Sequence, residues 1–417
     1  MIKNVFGGEM QDAPVDLVCL SHLWWSWVWQ RPQHLMSRLA KQREVLWVEE
    51  PHIKIGPPSD NLVVSEERPH LRVARYELSS DRATFWQRIT EMQARTGAQS
   101  VQIPSDIQEA NWLFGSPAQE QLEREVVRYV EPRRRRPLVV WAYTPLVLGL
   151  VEQLQPDLVV YDVMDELSAF KYAPVHLQEQ EQALLERADL VFTGGPSLFE
   201  ARKNRHPDIH LFPSGVEQQH YARALSPELA IPDAVRGLPH PMIGFFGVID
   251  ERIDLQLLQR AAALRPDWSW VMLGPVIKIT QQDLPCAANI HYLGMQSYAD
   301  LPAFVKAFDV AMLPFALNEA TRFISPTKTL EYMAAHKPIV STPITDVVSL
   351  YGSVVRIAET PEQFVAQAEQ ALEEPPQPRA QRKEREERLL AQHTWDRIAH
   401  EMQALIDDRL RRTRIRE

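Results

Sequence analysis

Short apolar runs separated by longer amphipathic stretches recur along nearly the whole 417-residue chain. That alternation is the pattern of strand and helix units wound around parallel sheets, so the expected fold class is α/β. In the first half the sequence predicts strands at 16–20, 45–48, 138–142, 158–161, 190–193 and 209–212, with helices at 32–41, 119–129, 177–187 and 197–204. A polar, proline-containing connection at 226–241 follows, and the same grammar restarts. Its strands fall at 242–246, 269–273, 290–293, 310–314 and 339–341, and its helices near 254–264, 298–307 and 327–335. A charged stretch at 375–392 is helical in composition, and 395–412 reads as a last amphipathic helix. No period of the repeat-protein type is visible.

Composition narrows the function classes. With 45 Lys+Arg against 55 Asp+Glu the net charge is −10. A chain that holds nucleic acid mainly by charge is excluded, because phosphate binding needs a basic field. Cys19 and Cys286 are the only cysteines, so zinc and disulfide frameworks are unsupported. The longest apolar run, 138–151, is shorter than the ~20 residues a membrane span needs and contains Pro145. The N-terminal stretch MIKNVFGGEMQDAP lacks the continuous apolar segment of a secretory signal, so a cytoplasmic location is expected.

The most informative segment is NEATRFISPTKTLEYMAAHKPIVSTP, residues 318–343. Ser325 is a good N-cap residue and Pro326 suits a first helical position, so a helix is expected to open there, through Thr327, with a terminus able to hold phosphate. Lys328 falls in the first turn, where a cation opposes the helix dipole and a bound anion would account for it. Glu331, three residues on and on the same face, can accept hydrogen bonds from ribose hydroxyls. The alternative is a capped helix with a surface Lys–Glu pair worth a few tenths of a kcal/mol.

The string LEYMAAHKPIVSTP resembles the LEAMA-x-G-x-PVV segment of GT-B glycosyltransferases, particularly family 4. Further segments fall in that family's order: ADLVFTGGPSLFEAR with HLFPSGVEQQHY, IGFFGVIDERID, NIHYLGMQSYADLPAFVKAFDVAMLPF and HTWDRIAHEMQALI. The opening SHLWWSWVWQRPQHLMSRLA is similar to a bacterial subgroup that includes teichuronic-acid-type enzymes. The resemblance implies two Rossmann-like domains facing across a cleft: an acceptor-binding domain over 1–213, a nucleotide-sugar-binding domain over 214–394 and a closing helix at 395–417. It implies transfer of a sugar from a nucleotide diphosphate sugar, UDP-linked, to a hydroxyl of a glycan or lipid-linked acceptor, with retention, no cofactor and no metal.

Carried over residue by residue, the resemblance puts Glu331 on the donor ribose and Gly247 and Arg252 at the phosphate loop. Ser325, Pro326, Thr327 and Lys328 complete the donor side, with Arg252 and Lys328 also neutralising the leaving diphosphate. Arg252 could instead pair with Asp250 or Glu251. The family's other Glu, eight positions before the ribose Glu, is replaced by Phe323; either Glu319 substitutes or backbone N–H groups around 324–327 do. His336 stands where the family has a helix-ending Gly, a position that favours positive φ.

On the acceptor side, the loop 21–31 holds Trp24, Trp25, Trp27 and Trp29, whose faces suit sugar rings or lipid headgroups, or else pack into the core. Arg31 follows, opening a helix where an anionic acceptor could sit. Asp165 first and Asp162 second are candidates to orient or deprotonate an acceptor hydroxyl, against the alternative of helix capping. The basic run 133–136 reads as a solvated turn. The arginines at 409, 411, 412, 414 and 416 give either a solvated end or a contact with an anionic membrane at its inner face. Two other functions remain open: a nucleotide-sugar epimerase on the same fold, and a non-catalytic nucleotide-sugar- or glycan-binding subunit. Oligomeric state is not legible.

Overall fold

The computed structural model describes residues 3–4, 13–96, 109–110, 117–171 and 173–416, so most of the N-terminal stretch lies outside the described residues. The chain divides into two compact units. One comprises Met1–Gly194, Phe199–Phe212 and Ala399–Glu417, and the other Gly195–Leu198 and Pro213–Ile398.

The first unit is built on strands β1 (Val15–Leu20), β2 (Val45–Val48), β3 (Ser59–Arg68), β4 (Leu71–Ser80), β5 (Arg134–Ala142), β6 (Leu158–Val163), β7 (Leu190–Thr193) and β8 (Ile209–Leu211). They lie in the order β3-β4-β2-β1-β5-β6-β7-β8, with short pieces Lys3–Asn4, His52–Ile55 and Glu109–Ala110 attached. From β4 to β8 all neighbours are parallel. Strands β2, β6 and β7 are buried along their whole length, as expected of parallel strands covered on both faces. The antiparallel hairpin β3–β4 was not foreseen. Its residues alternate between buried and exposed along β3, so they lack the continuous apolar run that marked the central strands. The run 133–136 is not a plain turn either: β5 starts at Arg134, which donates to the Leu154 carbonyl at 2.7 Å, and Arg136 pairs with Asp157.

The second unit holds β9 (Met242–Phe246), β10 (Ser269–Leu273), β11 (Ile290–Tyr292), β12 (Val310–Leu313), β13 (Ile339–Ser341) and β14 (Arg356–Ile357). The sheet is wholly parallel in the order β11-β10-β9-β12-β13-β14. Counted by appearance this is 3-2-1-4-5-6, the doubly wound order whose ligand crevice lies beyond the carboxyl ends of the two strands where the order reverses. Here those strands are β9 and β12. In the first unit the order reverses between β1 and β5.

Six helices bear on the sites: α1 (Arg31–Leu39), α2 (Gln218–Ala222), α3 (Lys328–Ala334), α4 (Thr345–Tyr351), α5 (Pro376–Gln392) and α6 (Trp395–Arg416). No helix among the described residues is long and apolar enough to cross a membrane. His336, past the end of α3, has φ 51° and lies between Glu386 and Glu387 of α5 at 3.4 and 3.3 Å, so the position normally filled by Gly keeps its left-handed backbone.

Candidate functional site

In the second unit, the chain leaving β9 passes through Gly247 at φ 141°. A Cβ there would overlap the Cε of Lys328 and lie 2.7 Å from its Nζ, so the lysine lies directly over the glycine backbone. Gly274, leaving β10 at φ 138°, is packed as tightly: a Cβ there would overlap the Gly247 carbonyl oxygen. The two glycines let the first two strand ends draw together beneath the Lys328 ammonium, where a phosphate could meet both backbone and cation.

Lys328 is the first residue of α3, not a residue within a helix opened by Ser325. Residues 325–327 precede the helix, and a turn over 326–329 leads into it, with the Thr329 N–H donating to the Pro326 carbonyl. Thr327 is the N-cap residue and no side-chain cap bond is made; Ser325 lies beside Asp346 of α4, whose carboxylate accepts the Ser197 N–H at 3.0 Å. Burial pushes the Asp346 carboxyl up to about 6, the two serines working against it. With only seven residues, α3 has a weak macrodipole, and the cationic partner here is the Lys328 side chain itself.

Glu331 lies one turn on and is 8% exposed. Burial pushes its carboxyl up to about 7; Lys328 and the Tyr221 phenol oppose the shift, and Glu217 adds to it. Tyr221 belongs to α2, which packs on α3.

Other donor-side candidates are placed differently. Arg252 makes a two-pronged pair with Asp250, its Nε 3.0 Å from both carboxylate oxygens and its terminal nitrogen 2.7 Å from Oδ2. It is therefore a loop-bracing residue in this structure, because the fork that would grip a phosphate is spent on its neighbour. Glu319 is 80% exposed on a short turn and pairs with Arg322 at 3.7 Å. Phe323 lies under the Arg322 guanidinium.

In the first unit Asp162 and Arg31 are not available as separate base and acceptor ligand. They form a fully buried bidentate pair, with Nε–Oδ2 and terminal N–Oδ1 both at 2.9 Å, and Arg31 also donates to the Phe212 carbonyl at 2.7 Å. Burying either charge alone would be costly, which explains the pairing. Asp165 is half-buried in the loop after β6. Its neighbour Glu166 binds Arg202 at 2.6 Å.

Most of the tryptophan loop packs inward. Trp25 is buried edge-on to Trp47 and Trp29, and its backbone N–H donates to the Glu49 carboxylate. Trp29 lies under Arg68 at 4.6 Å, and Trp24 stacks on His52 at 3.9 Å. Trp27 is half-buried and, among the described residues, makes no ring contact. Glu49 and Glu50, at the end of β2, were missed by the sequence reading. Burial works against the charge on Glu49, but His52 and Arg75 outweigh it and hold the carboxyl low, whereas burial pushes Glu50 well above the usual range. Tyr221 and Asp346 were missed too. The only available signals were an aromatic after the SGVEQQH turn and an Asp in a first helical turn.

At the C-terminus Arg411 and Arg412 pair with Asp408, and Arg409 lies near Asp189 and Asp208. The side chains of Arg414 and Arg416 lie outside the described residues. Among the described residues no cluster of His, Cys, Asp and Glu is arranged to hold a metal ion.

A family model described as glycosyl transferase-like matches residues 252–404. A Bacillus subtilis (strain 168) protein named as the teichuronic acid biosynthesis glycosyltransferase TuaH is 23% identical over 203 residues, 45% of this chain and 50% of that protein. The match thus spans half the length of this curated relative. Among solved structures, sucrose-phosphate synthase from Thermosynechococcus elongatus superposes with a TM-score of 0.67 at 18% identity, covering 95% of this chain and 98% of that one. The Escherichia coli trehalose-6-phosphate protein bound with UDP-2-fluoro glucose does so with a TM-score of 0.63 at 13% identity, covering 94% and 98%. The chain has the GT-B fold of these proteins, and the resemblance to GT-B glycosyltransferases carried by its sequence motifs is borne out.

Proposed function

We propose that this chain is a hexosyltransferase that moves a sugar from a UDP-linked donor to a hydroxyl of a glycan or lipid-linked acceptor, with retention of configuration and without a metal or other cofactor. The observation that carries the reading is Lys328 lying over Gly247 beyond β9, with Glu331 one turn further along the same helix. A diphosphate beside that ammonium places a ribose within reach of Glu331. As the bond from the anomeric carbon to the diphosphate breaks, charge grows on the leaving oxygen, and Lys328 stabilises it. The relative's name and the UDP-2-fluoro glucose in one structural neighbour support this donor class.

On the acceptor side the reading moves from Arg31 and Asp162, which hold each other, to Trp27 as a sugar platform and Asp165 as the carboxylate nearest the acceptor hydroxyl. The protein would act in polysaccharide biosynthesis in the cytoplasm, at the inner face of the membrane where a lipid-linked acceptor resides.

Incubation with UDP-glucose and an acceptor screen tests the proposal. UDP release that requires acceptor, with the first-formed anomer by NMR matching the donor, is expected. An inverted product would overturn retention, and epimerised donor in the absence of acceptor would replace the transferase with an epimerase. Lys328→Ala and Glu331→Ala are expected to lower UDP affinity about tenfold or more, given ~1.5–3 kcal/mol for a charge-assisted contact. Unchanged affinity in both would refute the site.

A further inference from the structure

Tyr221 is fully buried, and its hydroxyl completes no hydrogen bond in this structure. A buried phenol usually finds a partner, because leaving its donor unmade is costly. The ring is held on several sides. It stacks on Phe246 at 5.9 Å and meets His220 and Tyr298 edge-on at 5.0 and 6.0 Å. Phe246 is fixed in turn, since its N–H donates to the Tyr332 hydroxyl at 3.1 Å. Tyr298 donates to Glu217 at 2.7 Å, and His220 stacks on Tyr298 at 4.2 Å while its Nε2 meets the Tyr298 carbonyl.

Helix α2 packs on α3, which carries the buried Glu331, and the Tyr221 phenol favours the charged form of that carboxyl. We propose that Tyr221 is a positioning residue for the donor site: when a nucleotide sugar binds, its hydroxyl donates to one oxygen of Glu331 and leaves the other to accept from the ribose diol. This rests on the reading of Glu331 as the ribose acceptor. A carboxylate so held meets the diol already oriented, and the orphan donor is satisfied in the bound state. The charged and titratable groups that act on Glu331 are Lys328 and Tyr332 on α3, Tyr221 on α2 and Glu217 at the cap of α2, while His220 and Tyr298 flank the Tyr221 ring. Burial and Glu217 disfavour the Glu331 charge, so affinity for a ribose is expected to rise as pH increases through the carboxyl's range.

UDP-glucose is the suitable probe, because its diphosphate is a diester that does not titrate between pH 5 and 9. Its affinity is measured by calorimetry across that range for the wild type, Tyr221→Phe and Glu331→Gln. Phenylalanine keeps the ring contacts, so the melting temperature is expected to hold. Tyr221→Phe should weaken binding about fivefold at pH 8 and move the midpoint of its pH dependence upward, because a donor to the charged form is lost. Glu331→Gln should abolish that midpoint. If Tyr221→Phe leaves both affinity and midpoint unchanged while Glu331→Gln weakens binding, the positioning role is overturned and the site stands. If Glu331→Gln binds as the wild type does, the ribose assignment falls and this inference with it.

Discussion

Gly247 and Gly274 sit at equivalent strand ends with nearly the same positive φ, yet the atoms above them differ in kind. Over Gly247 lies the tip of a flexible lysine, and over Gly274 lies the carbonyl of Gly247 itself. A methyl at 247 can be accommodated by swinging Lys328 aside, leaving backbone strain of about 1–3 kcal/mol. A methyl at 274 meets main chain that cannot swing, so strain and overpacking add to about 2–6 kcal/mol. Gly247→Ala is therefore expected to lose UDP-glucose affinity tenfold or more with the smaller loss of stability of the two, and Gly274→Ala to lose mainly stability. Equal stability losses in the two variants, with donor affinity intact in Gly247→Ala, would show that Lys328 is not held for a ligand. Lys328 and Glu331 stood out in the sequence because their i, i+3 spacing near a helix start is a local fact, and Gly247 through the resemblance, although the helix opens at Lys328 and not at Ser325. Tyr221 and Asp346 did not, since each acts on a residue more than twenty positions away through packing that no local pattern encodes.

At the scale of elements, most central parallel strands were legible to within a residue or two, because burial on both faces writes them as unbroken apolar runs; β5 starts four residues before its apolar run, on exposed and half-buried arginines. The hairpin β3–β4 was not legible: β3 is buried only at Leu62 and Val64, and charged residues interrupt the apolar run of the otherwise buried β4. Helix α1 shows a subtler failure. Arg31 was rightly placed at its start and Asp162 at the end of β6, but Arg31 was read as an acceptor ligand and Asp162 as a carboxylate for the acceptor hydroxyl because their 131-residue separation hides that they meet. The pair fastens the N-terminus of α1 to β6 and, through the Phe212 carbonyl, to the chain just after β8. Removing one partner strands a buried charge, so Arg31→Ala is expected to cost about 3–5 kcal/mol in urea unfolding. Adding Asp162→Asn to that variant should recover part of the loss, since the double change removes the unpaired charge. A cost below ~0.5 kcal/mol for Arg31→Ala, the range of an ordinary surface change, would return Arg31 to the list of acceptor ligands.

For the molecule as a whole, the residues assigned to the donor all belong to the second unit and those assigned to the acceptor all to the first. Helix α6 is shared in the chain sense: Trp395 falls in the second unit, where Gly215 packs against its indole, and from Ala399 onward the helix belongs to the first. There Met402 and Ile406 are fully buried, and Gln403 and Asp407 bind Arg43 at 2.9 Å. Truncating two buried side chains of this size costs about 2–5 kcal/mol each, all of it from the first unit. A Met402→Ala, Ile406→Ala double variant should therefore unfold in two calorimetric steps, because a chain of two units need not melt as one. UDP-glucose binds only the folded second unit in this reading, so it should raise the upper transition by mass action and leave the lower one where it is. If the lower transition rises with UDP-glucose, the donor site draws on the first unit; if a single transition merely shifts down, the two units do not unfold separately.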